Sequence, residues 1–275
     1  MKNNNFKGLK RVIILTNTNS IKGRSIFRSI KDTNIEIEKV IAIDTDFLYY
    51  IKLFKFVSKR VGFFQAIIFS FLKIFEDFIH ELFFCNLKSL NNLTSKYKVP
   101  IIYIKGRRNW QKLASNSIDT CDSKIIIIGQ IGILGNDFDL NRNDRLILNS
   151  HPGKLPEFRG LDSFKWAILK NDWENLACSI HIVREKIDAG EIIKINNYNW
   201  RKLNWFFVDR QLLIISGNDL VKFLLNLNSK DPVKQILMNS KKQINQFNLH
   251  HKMNILTEFK CLGLYLFKKY LERKQ

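Results

Sequence analysis

Short apolar runs, separated by stretches of helical or polar character, recur through the first 150 residues. Five of these runs are bounded by polar or turn residues: 11–16, 35–43, 100–104, 124–128 and 145–149. Continuous apolar runs of this length are typical of parallel strands that are buried on both faces. Residues 110–120 have helical character between two of the runs, and such alternation of strand and helix indicates a parallel sheet.

The pattern therefore predicts an α/β fold, with a Rossmann-like, mostly parallel sheet that carries helices on both faces. After the first strand we predict a polar loop over 17–23 and a helix from about Ser25. After about residue 200 the strand pattern fades, and helical stretches are predicted over 219–227 and 254–273. We predict a main domain over 1–200 and a helical C-terminal extension over 201–275, because no linker rich in Gly, Ser or Pro separates further domains.

Residues 48–95 interrupt the alternation with an aromatic-rich insert. Apolar side chains recur at three- and four-residue spacing, which predicts an amphipathic helix. These positions are Phe64, Ile67, Ile68, Phe71, Ile74, Phe75 and Phe78. We expect this face to pack against the sheet or a partner subunit. Four basic residues beside it leave contact with an anionic membrane surface as the alternative: Lys52, Lys55, Lys59 and Arg60.

The chain of 275 residues has a formal net charge of +20 at pH 7, unevenly placed. Basic residues exceed acidic ones by nine in 1–100, by two in 101–200 and by nine in 201–275. Solvated lysines on helix faces account for such an excess, and an anionic partner (lipid, nucleic acid or a phosphorylated substrate) is the alternative. A hydrophobic content of 45% and a charged content of 25% are average for globular proteins, which excludes a disordered or collagen-like chain.

Cysteine spacing and hydropathy bear on the compartment. The four cysteines, at positions 85, 121, 178 and 261, form no C-x-x-C pair, which is typical of a protein in a reducing cytosol. The polar start of the chain predicts no signal peptide. The longest charge-free apolar window in the aromatic insert, 61–72, is shorter than the roughly 20 residues that a membrane-spanning helix needs. We expect a cytoplasmic protein without a transmembrane segment.

Candidate chemistry is concentrated in Leu148-Asn-Ser-His-Pro-Gly-Lys-Leu-Pro-Glu-Phe-Arg-Gly160. Asn149 and His151 are two residues apart at the end of a predicted strand, so their side chains share one face. Pro152 and Pro156 restrict the backbone of the loop that follows. Open α/β sheets bind ligands at the carboxyl ends of their strands, where this pair lies. Taken alone, the pattern also fits a purely structural histidine.

A second segment adds two further polar positions. Alternation over 178–183 predicts a strand with Ser179 and His181 on one face. Asp188 follows in a turn, before a short apolar strand over 192–195. A carboxylate in such a turn is either a turn cap or a functional group.

The combined motif resembles one known family. In order, Asn-x-His-Pro-x-x-Leu-Pro-x-Phe-Arg-Gly, Ser-Ile-His and Ile-Asp-Ala-Gly-x-Ile-Ile resemble the 10-formyltetrahydrofolate-dependent formyltransferases. This family includes the glycinamide ribonucleotide, methionyl-tRNA and sugar-nucleotide N-formyltransferases. The firm resemblance covers about residues 124–195. It implies an enzyme whose catalytic domain occupies 1–200 and whose formyl donor is 10-formyltetrahydrofolate.

The resemblance also implies roles for individual residues. Asn149, His151 and Asp188 match the catalytic Asn-His-Asp positions, and His181, Arg159 and Gly160 are implied to line the site. The loop implied to meet the pterin ring of the folate consists of Gly129, Gln130, Ile131, Gly132, Ile133 and Leu134.

These residue types also suit the reaction on chemical grounds. Attack of an amine on a formyl carbon places negative charge on oxygen, and the Asn149 amide and a protonated His151 are suitable donors; one such donor is typically worth about 2.7–4 kcal/mol. Asp188 can accept the ammonium proton, directly or through a water, and its charge favours protonated His151. No metal is expected, because the five histidines form no H-E-x-x-H pattern.

Departures from the family's pattern bear on the acceptor. The loop over 16–24 lacks the Gly-rich Ser-Asn sequence of the glycinamide ribonucleotide enzymes, although its Lys22 and Arg24 could meet some other phosphate. The part after residue 200 is too small and too helical for the β-barrel domain of methionyl-tRNA formyltransferases. Trp166 and the Arg-Gly-Leu-Asp sequence at 159–162 resemble the sugar-nucleotide branch.

We therefore expect a small acceptor, a nucleotide-linked amino sugar, and no nucleic-acid partner. Methionyl-tRNA, glycinamide ribonucleotide and a non-catalytic binding role are the alternatives. A homodimer and a peripheral membrane contact both stay open.

Overall fold

The fold was examined in a computed structural model that describes most of the chain. The described residues are 11–44, 51, 54–55, 57–59, 61–83, 89–106, 109–135, 137–138, 140, 144–227, 231–243 and 249–273. Side chains are described in the same ranges except at 73–74, 76–83 and 273. Three residues named above, Lys52, Arg60 and Cys85, lie outside the described residues, as do the side chains of Ile74 and Phe78.

A seven-stranded sheet forms the centre of the molecule. Its strands are β1 (Arg11–Asn17), β2 (Glu36–Asp44), β3 (Ile101–Lys105), β4 (Ile125–Ile128), β5 (Leu146–His151), β6 (Ala177–Ile182) and β7 (Ile192–Asn197). The strand order is β3-β2-β1-β4-β5-β6-β7. The first five strands pair in parallel and the last two are antiparallel additions. The predicted mostly parallel α/β fold is therefore confirmed.

Helices cover both faces of this sheet. They are α1 (Ile21–Lys31), α2 (Phe63–Phe83), α3 (Leu90–Tyr97), α4 (Trp110–Asp119), α5 (Ser163–Leu169), α6 (Val208–Leu225), α7 (Pro232–Asn239) and α8 (Ile255–Arg273). Successive side chains of β1 point to opposite faces. Ile14 joins a core with Ile26 of α1 and Leu220 of α6, whereas Ile13 joins a second core with Ala114 of α4.

Two helices begin earlier than the sequence predicts. The predicted start of the first helix at Ser25 was wrong, because α1 begins at Ile21, where the hydroxyl of Ser20 accepts a hydrogen bond from the Gly23 amide at 2.8 Å. The helix predicted from 219 begins at Val208. Gly217 does not mark a break: it lies inside α6, where an added Cβ would be 3.1 Å from Ile26 Cγ1, so glycine lets α6 pack closely on α1.

The C-terminal helices form a third core with α5. Tyr265 of α8, 1% exposed, packs in it with Phe164 of α5 and Leu212 of α6. Beside this core, the buried ammonium of Lys165 lies 3.1 Å from an Asp209 oxygen and 3.2 Å from a Glu258 oxygen. These contacts bind α8 to α5 directly behind the loop that leaves β5. The domain boundary at residue 200 stays a prediction.

The apolar face of α2 is exposed. Phe64 is 80% exposed and Phe71 is 68% exposed, and Ile67, Ile68 and Phe75 are exposed as well. The expected packing of this face against the sheet was therefore wrong for these side chains. The helix touches α8 instead, where the Gln65 side-chain oxygen accepts a hydrogen bond from the Ile255 amide at 3.2 Å. Among the helices in the described ranges, none is both long and apolar enough to cross a membrane.

Candidate active site

Antiparallel pairing of β5 with β6 brings the predicted polar residues together. Asn149 lies opposite His181 in the register, and His151 lies opposite Ser179. The Asn149 Nδ2 is 3.1 Å from His181 Nε2. His151 and His181 are both almost fully buried, with 4% and 2% of their surface exposed. The two-residue spacing seen in each segment is thus what aligns the two pairs across the strands.

Asp188 reaches both histidines from the loop after β6. Its Oδ2 lies 3.3 Å from His151 Nδ1, and its Oδ1 lies 3.5 Å from His181 Nε2. The backbone at Asp188 has φ 48°, a left-handed conformation that Asp adopts more readily than most residues. Asn149, His151, His181 and Asp188 therefore form one cluster, which we call the polar cluster.

The Arg159–Gly160 pair fixes the position of Asp188. The Arg159 guanidinium donates to the Ile187 carbonyl, with Nη2 at 2.8 Å, and the Gly160 amide donates to Asp188 Oδ2 at 3.1 Å. Gly160 has φ 91°, and a Cβ there would lie 2.4 Å from the His250 carbonyl oxygen. Glycine is needed at this point because of both the backbone conformation and the close approach.

His151 has partners at both ring nitrogens. Its Nε2 lies 2.8 Å from the Phe158 carbonyl oxygen, to which it donates, and 2.9 Å from Ser163 Oγ. Burial lowers the pKa of His151, although the Asp188 carboxylate and the Phe158 carbonyl act in the opposite direction. A hydrogen bond from Nε2 to a bound substrate would therefore have to replace the bond to Phe158.

Asp188 is held in its ionised form. Burial alone would raise the pKa of this carboxyl, but His151, a hydrogen bond from His181 and the Gly160 amide together hold the pKa well below its usual range. A carboxylate with such a low pKa stabilises a neighbouring cation well and takes up a proton weakly.

The predicted folate loop follows β4, next to the end of β5 in the sheet. The Gly129 amide donates to the Leu15 carbonyl at 2.9 Å, which ties the start of the loop to β1. Ile133 is 64% exposed, and a Cβ added at Gly132 would meet nothing within 4 Å. Gln111 of α4 holds the far end, since it donates to the Ile133 carbonyl at 3.0 Å and accepts from the Gly135 amide at 2.8 Å.

Three residues around the polar cluster were missed as site residues by sequence reasoning. Lys22 of α1 donates to Asn149 Oδ1, Ser163 contacts His151, and Gln243 donates to the Asp188 carbonyl at 3.1 Å. The 22-26-30 spacing on α1 was a signal for Lys22, because it places this lysine on the same face as the buried Ile26 and Ile30. Ser163 and Gln243 carry no local signal.

Lys22 is also not placed to bind a phosphate, as the sequence had suggested it could. Its side chain is buried against Asn149 and the Ser150 carbonyl. Burial lowers the pKa of Lys22 to about 8, although Cys178 and Asp188 act in the opposite direction.

Trp166 lies behind the Arg159–Gly160 loop. Its indole stacks on His250 with ring centroids 5.0 Å apart, and its Nε1 donates to the His251 carbonyl at 2.9 Å. His250 in turn stacks on Phe158, at 5.8 Å. Trp166 therefore holds the C-terminal segment against the loop that carries Gly160. Across the described ranges, no group of three or more His, Cys, Asp or Glu residues is arranged to hold a metal ion.

Comparisons with known proteins agree with the resemblance inferred from the motifs. Residues 104–199 match the family model described as formyl transferase. Methionyl-tRNA formyltransferases from Rickettsia prowazekii (strain Madrid E) and Rickettsia typhi (strain ATCC VR-144 / Wilmington) are each 23% identical to the chain over 147 residues. These alignments cover 53% of this chain and 48% of each relative, so the chain spans about half the length of the curated relatives it matches.

Solved structures with a similar fold cover more of the chain. A phosphoribosylglycinamide formyltransferase from Anaplasma phagocytophilum superposes with a TM-score of 0.51 at 15% identity, over 88% of this chain and 99% of that one. WlaRD, a sugar 3N-formyl transferase solved in the presence of dTDP and 5-N-formyl-THF, superposes with a TM-score of 0.50 at 15% identity, over 95% of this chain and 81% of that one. The resemblance to the formyltransferases and the fold that it implies are both confirmed.

Proposed function

We propose that this chain, whose residues 104–199 match the formyl transferase family, moves a formyl group from 10-formyltetrahydrofolate to a primary amine. The observation that carries the proposal is the polar cluster itself. Four polar residues of the matched segment meet at the carboxyl end of β5, with both histidines buried and the Asp188 carboxylate ionised. Burying so many polar groups at a strand end is costly unless they are paired, and functional sites are where proteins tolerate it.

The loop over 129–134 is the proposed folate site. An exposed turn with open space above Gly132 and an apolar side chain at Ile133 suits the flat pterin ring, and free backbone groups beside it can pair with the ring's polar edge. The solved WlaRD structure, which is similar in fold, is described with a formylated folate. When bound, 10-formyltetrahydrofolate supplies the formyl carbon.

Asn149 is the proposed hydrogen-bond donor for the formyl oxygen. Its Nδ2 carries two hydrogens, of which one is directed to His181 Nε2 and the other is left for a substrate. A pre-oriented donor of this kind stabilises an oxygen that gains negative charge.

Asp188 and His151 are proposed to handle the charge of the attacking amine. The depressed pKa of Asp188 suits it to hold the cation formed during attack, with the proton passing on through water or His151. Protonation of His151 is favoured by Asp188 and opposed by burial. These roles are those that the resemblance implied, and they stay proposals.

The proposed acceptor is a nucleotide-linked amino sugar. The charge over 101–200, which contains the polar cluster, is close to balanced, and two phosphates need few basic side chains. A second candidate is methionyl-tRNA, which is favoured by the names of the matching Rickettsia relatives and by the excess of nine basic residues after position 200.

The test is formyl transfer by the purified full chain. It is incubated with 10-formyltetrahydrofolate and, separately, a dTDP-linked amino sugar, charged methionyl-tRNA and glycinamide ribonucleotide. We expect the amino sugar to gain the mass of one carbonyl group, and we expect Asn149→Ala to abolish most of that gain. Formylation of methionyl-tRNA alone would replace the proposed acceptor, and folate binding without transfer to any amine would contradict the proposed activity.

A further inference from the structure

Lys22 is a buried cation directly beneath Asn149. It lies in the first turn of α1 and is 3% exposed. Its ammonium donates to Asn149 Oδ1 at 2.8 Å and to the Ser150 carbonyl oxygen at 2.7 Å. Both acceptors belong to β5, so this side chain joins α1 to the strand that carries Asn149 and His151. Burying a lysine here costs stability, which calls for a reason.

The two ends of the Asn149 amide have nearly the same shape and opposite polarity. An ammonium only donates, so Asn149 must turn its oxygen toward Lys22. On the other side, His181 Nδ1 lies 2.9 Å from the Ile182 carbonyl oxygen and donates to it, which leaves Nε2 as the acceptor from Asn149 Nδ2. Lys22 and His181 therefore require the same orientation of the amide.

We propose that Lys22 is a positioning residue that holds Asn149 in the orientation in which its remaining Nδ2 hydrogen is free to bind the substrate oxygen. This inference rests on the proposed function of Asn149 as a donor. Lys22 acts through Asn149 and does not touch the substrate. If the amide turned over, its oxygen would face the position of the developing negative charge and would repel it.

Two substitutions separate orientation from mere packing. Lys22→Met keeps the length of the side chain but loses all donors. Lys22→Gln can still pair with Asn149 through either end of its own amide, so it preserves a contact without specifying the orientation. Lys112→Met is the matched control, because Lys112 is an exposed lysine on α4.

We expect Lys22→Met to lower kcat by about 10²-fold, the lower range for loss of one oriented donor, and Lys22→Gln to lower it by a smaller factor. KM for 10-formyltetrahydrofolate should change little in both, and Lys112→Met should match the parent. The decisive measurement is a double-mutant cycle with Asn149→Ala. If Lys22 acts through Asn149, adding Lys22→Met to Asn149→Ala produces no further fall in kcat. An equal fall in both backgrounds would overturn the inference.

A second readout does not need activity. The Asn149 side-chain amide resonance can be identified by its loss in Asn149→Ala. We expect Lys22→Gln to shift or broaden this resonance while the backbone spectrum stays folded. An unchanged resonance would overturn the inference even if the parent enzyme proved inactive with every acceptor, which would contradict the proposed function alone.

Discussion

The polar cluster and helix α2 reverse the usual distribution of side chains in opposite ways. The polar cluster buries charged and polar groups: His151, Asp188 and Lys22 all have partners inside the protein. Helix α2 exposes large apolar groups, with Phe64 and Phe71 mostly in solvent. The first region costs free energy to bury and the second gains little from folding of the chain itself.

The difference teaches where partners act. In the polar cluster every charge is matched by the chain, so substitutions there should be felt within the isolated protein. On α2 the described part of the chain leaves the apolar face uncovered, so substitutions there should hardly change the stability of a monomer. Four predictions test this contrast.

The largest effect is expected for Asp188→Asn. Loss of the charge removes the group that stabilises a cation at His151, so kcat should fall by roughly 10²–10⁴-fold, the usual contribution of a positioned acid–base group. The far-UV circular dichroism should stay folded, since Asn can still accept from the Gly160 amide. Glu191→Gln, at a carboxylate paired with Arg184 outside the cluster, is the control. A variant with near-parental kcat would remove Asp188 from the catalytic assignment.

Two matched truncations compare the regions directly. Phe158→Ala removes a 2% exposed ring beside His151 and should lower the free energy of unfolding by about 3–5 kcal/mol. Phe71→Ala removes a 68% exposed ring and should change it by less than about 0.5 kcal/mol. Urea unfolding followed by fluorescence measures both. A large loss in Phe71→Ala, or a change in oligomer size, would show that this face is covered by a second copy in solution.

Acidification should destabilise the folded protein through the polar cluster. The pKa of His151 is lowered by burial and that of Asp188 is lowered by the histidines, so the unfolded chain binds more protons in both cases. Stability is therefore fully present above the ordinary histidine value of 6.5 and decreases as the pH falls below it. Unfolding measured from pH 7.5 to 5 should show this slope, and His151→Gln should flatten it. An unchanged slope would mean that other groups titrate.

The smallest effect is expected at the C-terminal end of α8. Lys268, Lys269, Arg273 and Lys274 are changed together to Gln, although the side chain of Arg273 and all of Lys274 lie outside the described residues. With a small acceptor, kcat/KM should stay within about threefold and depend weakly on salt, since few phosphates are contacted. A loss of about 10³–10⁵ in affinity between 50 and 200 mM salt, flattened in the variant, would instead indicate a tRNA acceptor.

The sequence by itself determined the sheet and the members of the polar cluster. The continuous apolar runs can only be satisfied by strands buried on both faces, and the two-residue spacings of Asn149 with His151 and of Ser179 with His181 require shared faces. These are local properties, so a single sequence reveals them.

Only the tertiary structure decided the roles of Lys22, Gly217 and the face of α2. Lys22 and Asn149 are 127 positions apart, and the pairing depends on how α1 lies on the sheet. Gly217 is a break in isolation and a close helix contact in the fold. An apolar stripe predicts that a helix will bury one face, but whether anything covers that face depends on the packing of distant segments.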